Sequence, residues 1–459
     1  MELDPVYTHC GCVCNEVIAL QSRHQLDDGY RFDQELLPLL EKVWMKDSGN
    51  VAPQLEPISK AEVVNKYSGR KRIIAQRALE SLKVTALTNE DAKLKMFLKD
   101  DKYSSYDVKA PRCIQYRDKR YALTLAQFTY PIEDYLYETV DKYGVKPYSK
   151  KLDVNSTAVN LRQAWDSFES PVALLLDHSA FDAHWNSCLQ QLATKYNSRF
   201  FRKCGKEMLV RTLMQWQENN LGITKNGTRY RTKFTRMSGD QNTGLDNSKG
   251  NLSMIQLALQ LHKIDASIIV NGDDSVVVME SGDIWKTKGL VDTFARMGQK
   301  TKLEWAHIFE QVEFCQMRPV AINGSWRMCR NPIRVLTRMR FTVKKLTHNV
   351  IKPYIKAVCQ AESALNEGLP VMGPLASKWS RIRARVYRGD LDQDIHLKLM
   401  KKNRLTTYES KVTDDTRESY YLAWDISPKE QEQLETLTML LEFTGPTLEQ
   451  ATALGMCPQ

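Results

Sequence analysis

Two short apolar runs, each ending in aspartate, constrain this chain more than any other feature. One lies in "SIIVNGDDSVVVME" (Ser267 to Glu280), the other in "PVALLLDHSAFDAHW" (Pro171 to Trp185). Ile268, Ile269 and Val270, then Val276, Val277 and Val278, are the β-branched residues of buried strands. Gly272, Asp273 and Asp274 stand between the two halves of the first stretch. Asp177 ends the second run, and Asp182 follows past a turn. Adjacent carboxylates at the tip of a buried strand repel, and desolvating them without compensation costs several kcal/mol.

A divalent cation would compensate. Magnesium prefers one or two carboxylates plus water and substrate phosphates, so a second carboxylate source is expected near another strand tip. Asp177 supplies it. Two strand-end aspartates brought together in a sheet would hold two ions about 4 Å apart, a clamp suited to phosphoryl transfer. Taken singly, each Asp reads better as a turn or cap residue; the repeated pattern is what favours a site. "MSGDQNTGLDNSKGN" lies between the two elements. Ser238 and Gly239 open a polar loop, and Thr243 and Asn247 fall on one helical face. Beside a metal pair, that loop and face would read a sugar hydroxyl and seat a base. Alone, they describe an ordinary glycine-rich loop before a helix.

The chain has 459 residues, too many for one simple core, and suggests roughly two to four structural units. A net charge of +10 favours a polyanionic partner without naming one. No run reaches the ~20 apolar residues of a bilayer span, and "MELDPVYTHC" lacks the order of a signal peptide; a soluble, intracellular chain is expected. Ten cysteines are mostly scattered, as in a reducing compartment. "HCGCVCNE" (His9, Cys10, Cys12, Cys14) is unusual spacing for zinc and reads as a segment with free thiols.

Along the chain, "KYSGRKR" leads into a predicted helix "IIAQRALESL". Residues 93–120 are basic with interleaved aromatics, and a helical stretch is expected from there to about residue 165. "QLATKYNSRFFRKCGKEMLVRTLMQWQENN" reads as helical throughout. "KWSRIRARVYR" fits a strand with one cationic face or a helix. In the acidic tail Ser427 is the expected N-cap, Pro428 the first helical residue and Glu430 the closure of a capping box. Leu434, Leu437 and Leu441 would share one face, with Gly445 and Pro446 ending the helix.

Asp177-x4-Asp182, Ser238-Gly239-x3-Thr243-x3-Asn247 and Gly272-Asp273-Asp274, in that order, resemble the motifs of viral RNA-dependent RNA polymerases of positive-strand RNA viruses. "APRCIQYRDKRYAL" and "FLKDDK" resemble the basic motifs of the tombusvirus-like group, "EFCQMRPV" (Glu313 to Val320) its primer-grip motif, and "YSGRKR" and "WRMCRNP" also fit. The resemblance covers about residues 60–385. It implies an α+β, right-hand polymerase: an N-terminal extension (1–60), fingers (61–170 and 191–235), a palm with an antiparallel sheet and flanking helices (171–190 and 236–325), and a mainly helical thumb with tail (326–459).

The resemblance also implies the chemistry, template-directed joining of ribonucleoside triphosphates into RNA on a single-stranded RNA template. Asp177 and Asp273 would bind two magnesium ions, manganese being able to substitute, with Asp274 assisting. Asp182 and Asn247 would check the ribose 2′-hydroxyl, supported by Ser238, Gly239 and Thr243. Lys99, Arg112 and Arg117 would hold the triphosphate, as guanidinium forks suit phosphate. Asp100-Asp101 departs from the group's usual small residue and Glu beside Lys99. A lysine after the metal motif would protonate pyrophosphate; "MGQKTKLE" offers Lys300 and Lys302, of which Lys302 is preferred. Such polymerases work in the host-cell cytoplasm at replication membranes, through a membrane-anchored viral replication protein or an upstream region. A reverse transcriptase on the same palm, and a non-catalytic RNA-binding scaffold, are the competing readings.

Overall fold

Both apolar runs become neighbouring strands of one sheet. The computed structural model describes residues 6–46, 53–104, 109–339, 341–389, 391–392, 411–440, 449–450 and 452–454. The strands of this sheet are β1 (Pro171–His178), β2 (Ala266–Asn271), β3 (Asp274–Glu280) and β4 (Thr301–Ala306). Their spatial order is β4-β1-β3-β2, every pair antiparallel.

The runs are continuously apolar because both faces of the sheet are covered. Leu174, Leu176, Val277 and Met279 point into one core, with Leu252, Ile255 and Leu259 of helix α1 (Thr243–Leu261). Ala173, Val276 and Val278 point into a second core with Leu161, Phe309 and Met328. Alternate side chains of each strand are thus buried on opposite sides. Each fully buried aliphatic side chain contributes about 1.5–3 kcal/mol of transfer free energy.

A second four-stranded sheet has the order Cys113–Tyr116, Leu94–Leu98, Asn219–Thr224, Arg229–Lys233. Helices Gly69–Val84 and Lys119–Leu136 pack against each other. Downstream, the hairpin Met317–Ile322 and Ser325–Arg330 leads to the paired helices His348–Leu365 and Met372–Ser380. Strand Val6–His9 lies between Tyr103–Ser104, antiparallel, and Thr452–Leu454, parallel.

Several expectations need correction. The stretch to residue 165 is two helices, Lys119–Leu136 and Val154–Trp165, joined by irregular chain. The segment expected to be helical to residue 220 is Ser187–Arg199 and Glu207–Gln215, after which the chain enters a strand. Its Asn219–Thr224 pairs in parallel with Leu94–Leu98, a long-range contact that local periodicity does not encode. "KWSRIRARVYR" is neither alternative as a whole: its first residues end helix Met372–Ser380 and the rest is irregular. The last described helix, Pro428–Leu440, has the expected capping box, with Ser427 N–H donating to Glu430 at 2.8 Å. Leu434 packs into a core with Tyr420, whereas Leu437 is 56% exposed. Leu441, Gly445 and Pro446 lie outside the described residues. Cys10, Cys12 and Cys14 form no disulfide among the described residues, the Cys10 thiol donating to the Cys12 sulfur at 2.9 Å, and His9 bonds the Lys109 carbonyl at 2.8 Å. No described helix is long and apolar enough to cross a membrane.

Candidate active site

The strand register gathers the aspartates. β1 pairs with β3 up to Leu176 opposite Ser275, so Asp177 stands level with Asp274 one step further. β2 and β3 close on Asn271 opposite Asp274, with Gly272 and Asp273 as the two-residue turn. Gly272 has φ 71°, the positive value that the first position of such a turn demands. Helix α1 braces the turn from behind. Asn251 donates to the Gly272 and Asp273 carbonyls at 3.1 and 3.0 Å, and Ser248 accepts from the Gly272 N–H at 2.8 Å. His178, held neutral by burial with its pKa pushed down to about 4, links Asn251 to Thr301.

The electrostatics show that the carboxylates converge. Burial raises Asp273, and the Asp177 charge raises it further, against the pull of Arg112 and Lys150. Asp274 is pushed up to about 7 by burial, then by Asp273 and Asp177. None of the three has an ion pair among the described residues. The three line one cavity of about 1190 Å³ with Lys99, Arg112 and Lys150. The donor set fits a hard divalent cation, which lowers the cost of packing these like charges together. No three His, Cys, Asp or Glu side chains among the described residues already surround one ion position. Protein oxygens would therefore be part of the shell, and water or phosphate the rest.

Asp182 and Asn247 meet as their spacing predicts. The Asn247 amide donates to Asp182 at 2.8 Å. Asp182 is pushed up to about 6 by burial, then by Asp273. Asn247 Oδ1 is buried with no hydrogen-bond partner. Ser238 and Thr243 also line the cavity, but their hydroxyls donate to backbone, Ser238 to Cys113 O at 3.1 Å and Thr243 to Met237 O at 2.5 Å. They hold the loop. Gly239 lets it lie flat on the neighbouring strand: its N–H donates to Gln115 O at 2.8 Å, and a Cβ there would sit 2.4 Å from the same oxygen.

The basic residues divide. Lys99 and Arg112 line the cavity and share Asp101, at 3.3 and 2.6 Å, and Asp100, the acidic residue in place of the group's usual small one, lines it too. Arg117 is not on the cavity. Its side chain is 2% exposed and bonds Asp240 at 2.8 Å, Asn220 at 2.6 Å and the Ala92 carbonyl at 2.6 Å. Its guanidinium thus ties the 238–242 loop, through Asp240, to Ala92 and Asn220. Lys302 lies directly across from Asp177 in the β4–β1 pair, with its side chain exposed and outside the cavity lining, as is that of Lys300.

Sequence reasoning missed Lys150 and Glu133, both on the cavity wall. Lys150 lies over Gly244, where a Cβ would come within 1.9 Å of its ammonium. Glu133 is pushed up to about 7 by burial, with Lys150 and Lys151 pulling the other way. Neither carries a local signal, since both are single charged residues in segments read as generic helix or linker. Cys315 was within a quoted motif, though not singled out.

A family model described as viral RNA-dependent RNA polymerase matches residues 21–444. The chain is 29% identical over 427 residues to the RNA-directed RNA polymerase of Tobacco necrosis virus (strain D), covering 86% of this chain and 58% of that protein. It is 31% identical to the RNA-directed RNA polymerase of Oat chlorotic stunt virus (isolate United Kingdom), covering 86% and 56%. It is 30% identical to that of Carnation mottle virus, covering 86% and 53%. The chain thus spans little more than half the length of these relatives. With the ordered motifs gathered on one sheet and the match running over most of its length, the chain belongs to the viral RNA-dependent RNA polymerase family, in the company of tombusvirus-like members.

Proposed function

We propose that this chain copies a viral single-stranded RNA genome by two-metal nucleotidyl transfer from ribonucleoside triphosphates. The observation that carries the reading is the convergence of Asp177, Asp273 and Asp274 on one cavity that Lys99 and Arg112 also line, with no cation paired to the three among the described residues. Asp177 and Asp273, with Asp274, would hold two magnesium ions, for which manganese can substitute. When bound, such ions activate the attacking 3′-hydroxyl and stabilise the leaving oxygen.

The chain's own groups do the rest. Lys99 and Arg112 orient the triphosphate and neutralise its charge. Asp182 and Asn247 read the 2′-hydroxyl, and the unpartnered Asn247 Oδ1 is an acceptor ready for it. Ser238, Gly239 and Thr243 keep the loop in place, and Arg117 does so from behind. Lys302, in register with Asp177, is the proton donor to pyrophosphate in this reading, ahead of Lys300.

In the same reading the central sheet and α1 are the palm (171–190 and 236–325), the second sheet and its helices the fingers (61–170 and 191–235), and 326–459 the thumb with its tail. Residues 1–60 are an N-terminal extension. Template, nascent RNA and ribonucleotides are its partners. A membrane-anchored viral replication protein, or an upstream region, would bring it to replication membranes in the host cytoplasm.

Purified protein with a single-stranded RNA template, magnesium and labelled ribonucleotides tests this. Asp273→Ala should lower incorporation by about a thousandfold and leave RNA binding intact. An unchanged rate in that variant would end the enzyme reading and favour an RNA-binding scaffold. Equal use of deoxyribonucleotides by the unsubstituted protein would favour a reverse transcriptase instead.

A further inference from the structure

The backbone that carries Lys150 is fixed at both ends. Val270 of β2 donates its N–H to Pro147 O at 2.8 Å and accepts from Ser149 N–H at 3.1 Å. Residues 147–149 therefore run parallel to β2 along the outer edge of the central sheet. Leu152 N–H then closes a turn on Ser149 O at 2.9 Å, and Asp153 caps helix Val154–Trp165 by accepting from Ser156 N–H at 2.8 Å. Lys150 sits between these anchors, beside the end of β2 that leads into Gly272 and Asp273. It is exposed and lines the cavity, whereas the next residue, Lys151, pairs with Asp134.

The Lys150 side chain crosses the first turn of α1 at Gly244. A Cβ added there would stand 1.9 Å from the ammonium nitrogen, 2.8 Å from Cε and 3.5 Å from Cδ. Glycine at 244 is thus what leaves the lysine its path into the cavity. Helix stability does not explain the crossing, because a cation is disfavoured at the positive end of a helix dipole. The sheet order helps to say what the ammonium meets. In-line displacement puts the attacking and leaving oxygens on opposite sides of the reacting phosphorus. The leaving pyrophosphate is assigned above to Lys302 on β4, one edge of the sheet. Residues 147–149 lie beyond β2 at the other edge, four strand spacings of about 4.8 Å away. Lys150 is therefore on the side of the attacking strand.

We propose that Lys150, laid across Gly244, binds a backbone phosphate of the RNA strand next to the reacting 3′-hydroxyl and so positions that strand over the aspartates. The inference rests on the polymerase reading and adds to it a phosphate contact distinct from the triphosphate contacts of Lys99 and Arg112. An ammonium is a point charge suited to a single phosphodiester, which offers no planar pair of oxygens for a guanidinium fork to demand. Gly244 takes part by its lack of a side chain alone.

The test compares the unsubstituted chain with Lys150→Ala, Gly244→Ala and the double variant. The probe is an RNA duplex with a recessed 3′ end, whose binding is followed over a range of salt, and the nucleotide KM is measured beside it. Lys150→Ala should lower the slope of log affinity against log salt by about 0.7–0.9 and weaken binding about fourfold at about 0.15 M salt. The nucleotide KM should stay within about twofold. Gly244→Ala, which pushes the ammonium aside, should reproduce the loss. The double variant should bind no more weakly than Lys150→Ala, since the three nearest atoms that the new methyl meets all belong to the lysine. Lys150 is exposed, so its truncation opens no core, and the double variant guards against a misfolding artefact in Gly244→Ala. Neutral methylphosphonates placed singly near the 3′ end locate the contact: one position should weaken the unsubstituted chain and leave Lys150→Ala indifferent. An unchanged salt slope in Lys150→Ala would overturn the inference, as would equal sensitivity of both proteins at every methylphosphonate. A raised nucleotide KM at unchanged RNA affinity would overturn it too, and put Lys150 on the triphosphate. The expected slopes without any incorporation by the unsubstituted chain would support the phosphate contact and end the polymerase reading.

Discussion

Asn247 and Asp182 are a buried polar pair with one acceptor left over. Asn247 donates to Asp182 at 2.8 Å while its own Oδ1 has no partner. A buried acceptor without a donor is costly, and a substrate hydroxyl that supplies one is favoured over a substrate that cannot. Asn247→Ala and Asp182→Ala should each reduce discrimination against deoxyribonucleotides by about 10–100-fold, measured as the ratio of kcat/KM for paired ribo- and deoxyribonucleotides. Unchanged ratios in both would refute the assignment. Glu133 is a second telling residue. Burial raises its pKa to about 7, against the usual 4.5 of a glutamate in the unfolded chain. The folded state therefore holds the proton more tightly. Its contribution is full below about pH 4.5 and is lost as pH rises through about 7. Glu133→Gln removes that loss. The variant should gain on the unsubstituted protein as pH goes from 5 to 8, by about 1 kcal/mol once solvent screening of this half-buried group is allowed for. Thermal melting at the two pH values checks this, and a constant difference would count against a buried carboxyl there.

The loop of residues 238–242 depends on a residue that motif matching assigns to substrate. Arg117 pairs with Asp240, each side chain 2% exposed. Arg117→Met would leave Asp240 buried and unpaired, a loss of about 3–5 kcal/mol. Denaturant unfolding should show it, together with weaker nucleotide binding through the displaced loop. A variant with normal stability and a selective rise in nucleotide KM would instead put Arg117 on the triphosphate. This contrast marks what was legible in the sequence. Strands β1 to β3 were readable because burial on both faces makes them unbroken apolar runs, and the aspartates at their tips because they interrupt those runs. Helix Pro428–Leu440 was readable from its cap. Strands Asn219–Thr224 and Arg229–Lys233 were not, because they alternate polar and apolar residues beside a helix and draw support from a distant partner. Asn226-Gly227 between them, with Gly227 at φ 94°, was the hairpin signal that would have found them. Whether a basic residue faces ligand or protein, as with Arg112 and Arg117, depends on which side of its strand end a carboxylate waits, and local sequence does not state that.

Across the whole molecule, Lys102 joins parts of the chain far apart in sequence. Its ammonium donates to the Arg338 and Phe341 carbonyls at 3.1 and 2.9 Å and pairs with Asp392 at 3.1 Å. The two side chains are 12% and 3% exposed. Lys102→Ala should cost about 3 kcal/mol, because it leaves the Asp392 charge buried. In a double-mutant cycle with Asp392→Asn, much of that cost should vanish; additive losses would mean that the two do not act together. The joint lies beside the cavity, so it fixes how far the wall bearing Lys99 stands from the segment bearing Arg338. Strand Val6–His9 has a related position, between Tyr103–Ser104 and Thr452–Leu454. One of its two neighbours is therefore synthesised long after it. A ribosome has to deliver residue 454 before this small sheet can be completed, so a nascent chain stalled short of that point carries an unzipped seam along its first strand.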